Sequence, residues 1–379
     1  MTAQAEIIES RVICRQPGRY IGWPTIAKAD DGELFIVFSG DRDAHVDPFG
    51  KTCFMRSSDN GERWSDAEVI NDTPLDDRDA GICIAPDGAL VVSWFTSHYD
   101  DYLAMKHYCE GEEERWEEAL AQVSEADVER WTHSDSGFTT GRRLGLWTRR
   151  SPDRGETWEE PVQAFCSAPH GPIPLSDGRM LYVGTGSYAR DEGEAFLGVA
   201  ESTDSARSWE LIGRIDALVE FLGDAEGGYA YLCEPHIVEV EPGRILGMAR
   251  YEERDVPRDA RSRSMLWQFE SEDGGSTWTE PRPLEIIGKP PHLTRLSDGR
   301  ILMTYGYRHE PFGERACLSS DGGETWDYEN EIVLRDDAPS GDLGYPASVE
   351  CDDGTILTVY YQQENPGEKT VLMTTRWRV

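Results

Sequence analysis

The chain has 379 residues, with 72 acidic against 37 basic side chains and a formal net charge of −35. Such a surface repels nucleic acid and anionic membranes, which both need clustered Lys and Arg. A hydrophobic fraction of 38% excludes a disordered chain, and no stretch approaches the ~20 apolar residues of a membrane span.

The first segment, "MTAQAEIIESRVICR", has neither the basic start nor the apolar centre of a secretion signal. It predicts a strand over about residues 6–15 and a cytoplasmic location. A hairpin follows, "TIAKADDGELFIVF", whose pattern returns as "GICIAPDGALVVSW", "GPIPLSDGRMLYVG", "HIVEVEPGRILGMA", "HLTRLSDGRILMTY" and "ASVECDDGTILTVY". The turns begin at Asp31, Asp87, Asp177, Pro242, Asp298 and Asp353. Between them recurs S-x-D-x-G-x-x-W: "SSDNGERW", "SPDRGETW", "STDSARSW", "SEDGGSTW" and "SSDGGETW", with Ala206 replacing glycine in the third copy. Ser and Asp cap turns through nearby backbone N–H groups, and Gly supplies an unusual backbone angle. The Trp is expected to pack the turn onto its own sheet.

Six regularly spaced hairpins predict an all-β fold, a single six-bladed β-propeller with four-stranded antiparallel blades. The last hairpin is followed by "TVLMTTRWRV" and no further box, so the N-terminal strand is expected to close blade six and hide the edges. The long interval between Asp87 and Asp177 holds an insertion of helical character at about 109–133, with Leu120, Val123 and Val128 on one side. It is read as a lid or as a contact between two copies of the chain. The eight cysteines form no CxxC pair and several lie in apolar runs, which fits buried thiols in a reducing compartment.

Antiparallel alternation puts the turns and boxes on one face of the ring. The starts of the inner strands and the loops after the second strands lie on the other. That second face gathers Asp79, His170, Glu234, His236, His292 and Tyr345 from strand starts. Its loops add Asp41, Arg42, Asp43, His45, Asp47, His98, Tyr188, Arg190, Arg250, Tyr251, Tyr307, Arg308 and Arg315, with Arg78 and Asp342 nearby. Counted back from each turn, Trp23, Asp79, Glu234, Pro290 and Tyr345 fall at one equivalent position. Inner strands line the axis, so these residues converge on one pocket suited to a small polar ligand such as a glycan. Imidazoles from three blades can also meet there, but no HxxxH or CxxC spacing is present, so no metal or cofactor is expected.

Together these features resemble the sialidase (neuraminidase) superfamily along nearly the whole chain. The resemblance implies a glycoside hydrolase with a tyrosine nucleophile, matched by Tyr345 in "GDLGYPASV", and a glutamate partner, matched by Glu234. Arg250 matches the second of the family's three carboxylate-binding arginines, and Arg308 or Arg315 the third, with Arg308 preferred. The acid/base matches Asp41, Asp43 or Asp47 in "SGDRDAHVDPFGK", and Asp43 is taken. The family's first arginine has no counterpart, because "IGWPTI" has Gly22 or Trp23 there. Arg19, Arg42 and Arg78 are the available substitutes, and Trp23 is a candidate for stacking on a sugar.

The residue types support the same chemistry. A carboxylate beside a phenol takes its proton and yields a nucleophile. A second carboxyl protonates the leaving oxygen. The substrate-binding set is then Arg42, Arg78, Asp79, His170, His236, Arg250, His292 and Arg308, and the partner a carbohydrate. Two other readings fit parts of the pattern: a lyase or uronate- or rhamnose-directed enzyme using Tyr or His with Arg, and a glycan-binding propeller without catalysis.

Overall fold

The computed structural model describes residues 5–98, 113–132, 144–187, 195–222, 228–254 and 265–379. These form six antiparallel sheets in sequence. Blade one comprises Tyr20–Lys28, Leu34–Arg42, Lys51–Ser57 and Glu68–Asn71, and blade two Asp76–Ile84, Leu90–Ser97, Leu144–Ser151 and Val162–Gln163. Blade three comprises Ile173–Pro174, Met180–Ser187, Phe196–Ser202 and Glu210–Asp216. Blade four holds Gly228–Glu241, Arg244–Arg254, Met265–Ser271 and Arg282–Ile287. Blade five holds Pro291–Arg295, Ile301–Tyr307, Gly313–Ser319 and Ile332–Val333. Blade six holds Gly344–Glu350, Ile356–Gln363 and Thr370–Arg378, and its outer strand is Glu6–Cys14. That strand runs antiparallel to the chain's last one, from Glu6 opposite Arg378 to Cys14 opposite Leu372. The inner strands of neighbouring blades pack together, and Gly344–Glu350 packs on Tyr20–Lys28, so the ring closes.

Blade four departs from the four-strand expectation. Leu218–Leu222 adds a fifth strand against Gly228–Glu241, with Leu222 opposite Gly228. Tyr229, Ala230 and Tyr231 of the inner strand pair on both edges, with Leu218–Leu222 on one side and Arg244–Arg254 on the other.

Second strands such as Leu34–Phe38 are wholly buried. Blades cover both of their faces, so they read as continuous apolar runs and not as alternation. The core therefore lies between blades. One cluster joins Leu181, Val183 and Leu197 of blade three to Ile237 and Ile245 of blade four.

The boxes make the predicted turns. In the second copy, Ser151 donates to Asp153 at 2.9 Å, and Gly155 N–H donates to Ser151 at 2.7 Å. Asp153 also accepts from the Thr157 N–H at 2.8 Å. The tryptophans pack on their own sheets, as Trp209 does on Tyr182 and Trp278 on Phe269, and several also reach the neighbouring blade. Trp209 of blade three donates to Thr148 of blade two at 2.8 Å, and Trp326 of blade five to Gln268 of blade four at 2.9 Å. Trp158 of blade two meets Phe54 of blade one edge-on at 5.6 Å. Each such box is a clasp between blades as well as a turn.

Of the insertion, Glu113–Leu120 and Glu125–Trp131 are helices, and Ser124 caps the second in a reciprocal capping box with Asp127. Val128 is buried as expected. The buried Trp116 packs, with Leu120, on Val46 and Phe49. Those residues belong to the blade-one loop that carries Asp41, Asp43 and Asp47, so the insertion braces that loop. The seven described cysteines are buried and no disulfide joins any two of them; Cys109 lies outside the described residues, as does the rest of the insertion.

Candidate active site

On four inner strands the pairing slips at the same place: between Gly22 and Thr25, Arg78 and Gly81, Cys233 and His236, and Gly344 and Ala347. Each slip contains one left-handed residue: Trp23 (φ 54°), Asp79 (φ 53°), Glu234 (φ 48°) and Tyr345 (φ 53°). An L-residue pays about 1–2 kcal/mol for that conformation, which the surrounding strands must override. A bulge re-aims the side chain it carries. The ring thus uses one backbone device four times to turn a side chain toward a shared centre.

Two of these side chains meet directly. The Tyr345 hydroxyl donates to Glu234 Oε1 at 2.7 Å, and Arg250 Nη1 donates to Glu234 Oε2 at 2.6 Å. Arg250 also donates to Glu252 through Nη2 at 2.6 Å and Nε at 3.0 Å. Burial alone would raise the Glu234 carboxyl, but Arg250, the Tyr345 hydroxyl and Arg308 outweigh it and hold it below its ordinary value. Burial, Glu234 and Asp79 push the Tyr345 phenol well above its usual value against the pull of Arg250 and Arg308. The resting pair is a neutral phenol bonded to a carboxylate, as a nucleophile and its base require.

The arginines divide sharply. Arg308 donates through Nε to the Leu343 carbonyl at 3.0 Å, and its guanidinium carbon lies 5.8 Å from the Tyr345 ring centre. Its buried Nη2 has no hydrogen-bond partner among the described residues. Arg315 turns away. It spends its donors on the carbonyls of Glu314, Pro311 and Arg335 and lies over Tyr307. Arg78 sits over the Trp23 indole at 4.3 Å and approaches Asp79 at 3.4 Å. Arg42 is fully buried in a bidentate pair with the equally buried Asp76, so it does not reach the cleft. Trp23 has no exposed surface, which removes it as a sugar-stacking platform. Its ring supports Arg78 and abuts His45 at 4.9 Å and Tyr345 at 6.3 Å.

The loop aspartates are each engaged. Arg19 donates to both Asp41 and Asp43, and Lys51 pairs with Asp41 at 3.1 Å. Asp47 accepts from the Asp43 N–H at 2.5 Å and the Phe49 N–H at 2.8 Å, and so staples its own loop. Asp79 differs: its carboxyl is nearly buried, and its pKa is pushed up to about 6 by burial, against the opposing pull of Arg78. Asp342 accepts from Tyr20 at 2.8 Å and from Tyr361 at 3.3 Å, and lies 3.1 Å from His45 Nδ1. No register argument singled out this second cluster, because its members come from different strands and a connection.

His170, His236 and His292 do converge. The His236 and His292 rings stack at 4.4 Å, and His170 meets them edge-on at 5.5 and 4.9 Å. All three are buried, and burial drives each below its ordinary pKa. His236 Nδ1 accepts the Leu293 N–H at 2.9 Å. They form a neutral floor beneath Tyr345, whose ring lies 6.4 Å from His170. Among the described residues no group of His, Cys, Asp and Glu is arranged to hold a metal ion. Tyr188 and Arg190 lie outside the described residues.

A protein of unknown function from Dyadobacter fermentans matches the whole architecture, with a TM-score of 0.75, 22% identity and 99% of each chain covered. A sialidase from Streptococcus pneumoniae has a TM-score of 0.58 and 12% identity over 100% of this chain and 70% of its own. An α-L-arabinofuranosidase from Fusarium graminearum has a TM-score of 0.63 and 14% identity over 97% of both chains. At these identities the likeness shows the fold. No curated protein matches the chain. The model of the BNR repeat-like domain matches residues 126–358, more than half of the sequence and four of its five boxes. The chain therefore belongs to the BNR repeat-like domain family.

Proposed function

We propose that this propeller is a retaining exo-glycosidase that releases a terminal anionic sugar, with Tyr345 as nucleophile and Glu234 as its base. The observation that carries the reading is the 2.7 Å bond from the Tyr345 hydroxyl to Glu234, whose other oxygen is held by Arg250. A phenol has to lose its proton as it attacks, and a fixed carboxylate at hydrogen-bond distance receives it. A neutral nucleophile suits an anionic donor, which a carboxylate nucleophile would repel. Arg308 and Arg78 flank the pair from blades five and two, and a guanidinium fork suits a sugar carboxylate or sulfate. Solved relatives of this fold include sialidases and an arabinofuranosidase, which agrees with a glycosidase.

The test is a screen of aryl glycosides of sialic acid, related keto-deoxy sugars, glucuronate and rhamnose, with absorbance near 235 nm followed for unsaturated products. The expected result is release of an anionic sugar with retained configuration, abolished in Tyr345→Phe. An unsaturated product would establish a lyase instead, and binding without turnover a lectin-like module.

A further inference from the structure

We infer that Asp79 of blade two, and not an aspartate of the blade-one loop, is the acid/base of this site. The inference rests on the glycosidase reading above and extends it. Glu234 and Tyr345 enter the centre through left-handed bulges, and Asp79 occupies the third such bulge that carries an ionisable group. Blades two, four and six alternate around a six-membered ring, so Asp79 approaches the nucleophile pair from a third direction. The rest of its surroundings fit an acid. Among the described residues its side chain has a single hydrogen-bond partner, Arg78 Nε at a long 3.4 Å. Glu234, Arg42 and Asp76 are the other charges that act on it, and it in turn acts on Tyr345. Its backbone N–H is fixed by Ser39 Oγ at 3.0 Å, so the strand holds it in place without occupying its carboxyl.

The loop aspartates are poorly placed for this role. Asp41 and Asp43 share Arg19, so both carboxylates are already committed to an ion pair. Burial raises Asp47 as well, but it gives both oxygens to backbone N–H groups of its own loop. A proton donor needs a carboxyl that is still protonated near the working pH, and burial raises Asp79 to about 6.

The Asp79 carboxyl gives its proton to the glycosidic oxygen as the bond from that oxygen to the anomeric carbon breaks, and the bond's electron pair stays with the departing oxygen. Tyr345 Oη bonds to the anomeric carbon and passes its proton to Glu234. In the second half, the Asp79 carboxylate takes a proton from water, the water oxygen bonds to the anomeric carbon, and Tyr345 leaves with its proton returned by Glu234.

Two substitutions test this, and both suit a left-handed backbone, which Asn and Gly accept readily. Asp79→Asn should lose about 10²–10³-fold in kcat/KM on glycosides with poor alkyl leaving groups. It should stay within about tenfold of the parent on dinitrophenyl glycosides, which need no proton, and the basic limb of its pH profile should vanish. Asp79→Gly should be rescued by azide with formation of the glycosyl azide of retained configuration. Asp43→Asn, assayed alongside, should show none of these signatures. Parent-like leaving-group dependence in Asp79→Asn, or the signature appearing in Asp43→Asn, overturns the assignment while leaving Tyr345 untouched. A protein that releases no sugar overturns the glycosidase reading and this role together.

Discussion

The guanidinium of Arg78 lies over the indole of Trp23, 4.3 Å from the ring centre. This pair stands where the sialidase pattern has an arginine on the first strand. The cation is supplied from the next blade, and the tryptophan beneath supports it through cation–π attraction. If Arg78 binds the sugar's anionic group, Arg78→Gln should lower kcat/KM for anionic substrates by about 10–100-fold, mostly through KM. Turnover of a neutral analogue should change little. An equal loss on both substrates would show that Arg78 only braces Trp23.

The nucleophile pair sets a different signature. Tyr345→Phe and Glu234→Gln should each reduce kcat by about 10²–10⁴-fold while leaving affinity for a product sugar nearly intact. Arg250→Lys should behave as a positioning change. Its fork joins Glu234 to Glu252, and a point charge cannot hold both in the same geometry. A partial kcat loss with an unchanged KM is expected, and a selective rise in KM for anionic sugars would instead make Arg250 a substrate ligand.

The same two carboxyls predict the pH profile. Glu234 has to be ionised, and Arg250 keeps its pKa below the ordinary 4.5, so the acidic limb of kcat/KM should lie below that value. Asp79 has to be protonated, so activity should fall as pH rises past about 6. Activity undiminished at pH 8 would contradict an acid of that pKa.

Much of this was legible before any coordinates. Counting back from the turns puts Trp23, Asp79, Glu234 and Tyr345 at one position, because these four blades repeat the same spacing from that position to the turn and the pleat fixes which face a residue meets. Three of the four precede proline, as in "WPT", "EPH" and "YPA", yet nothing in a sequence says that the position is a left-handed bulge. The charge partners were not legible either. Arg42 and Arg78 are two cations of one polar face in the sequence. Only the packing shows that Asp76 seals the first while Trp23 carries the second. Likewise Arg308 and Arg315 differ by how their loop folds: the carbonyls of Glu314, Pro311 and Arg335 capture Arg315.

The clasps between blades make a stability prediction. Gly155 has φ 93°, and a Cβ there would lie 2.5 Å from Phe54 of blade one. Gly178 has φ 90° with nothing within 4 Å. Gly178→Ala should therefore cost only the backbone term of about 1–2 kcal/mol. Gly155→Ala should cost about 1–3 kcal/mol more, because the blades have to part or Phe54 has to leave its rotamer. Ala206, left-handed at φ 63° and wholly buried in the third box, shows that a methyl is tolerated where the neighbouring blade leaves room. Equal losses in chemical denaturation of the two variants would show that the boxes do not clasp neighbouring blades.

Glu314 offers the last prediction. It is fully buried on blade five, neither carboxyl oxygen has a hydrogen-bond partner among the described residues, and burial drives its pKa well above the ordinary value despite Arg308, Arg315 and Arg335. In the folded state it keeps a proton that the unfolded chain loses above about pH 4.3. Stability should therefore fall as pH rises from there toward the folded-state pKa, since the native state binds the extra proton. Glu314→Gln removes that dependence without changing shape or any hydrogen bond. Its melting temperature should match the parent's near pH 4 and exceed it by on the order of a few degrees at pH 8. If Glu314→Gln instead melts lower than the parent at pH 8, the carboxylate is ionised there and serves as the counter-charge to Arg308.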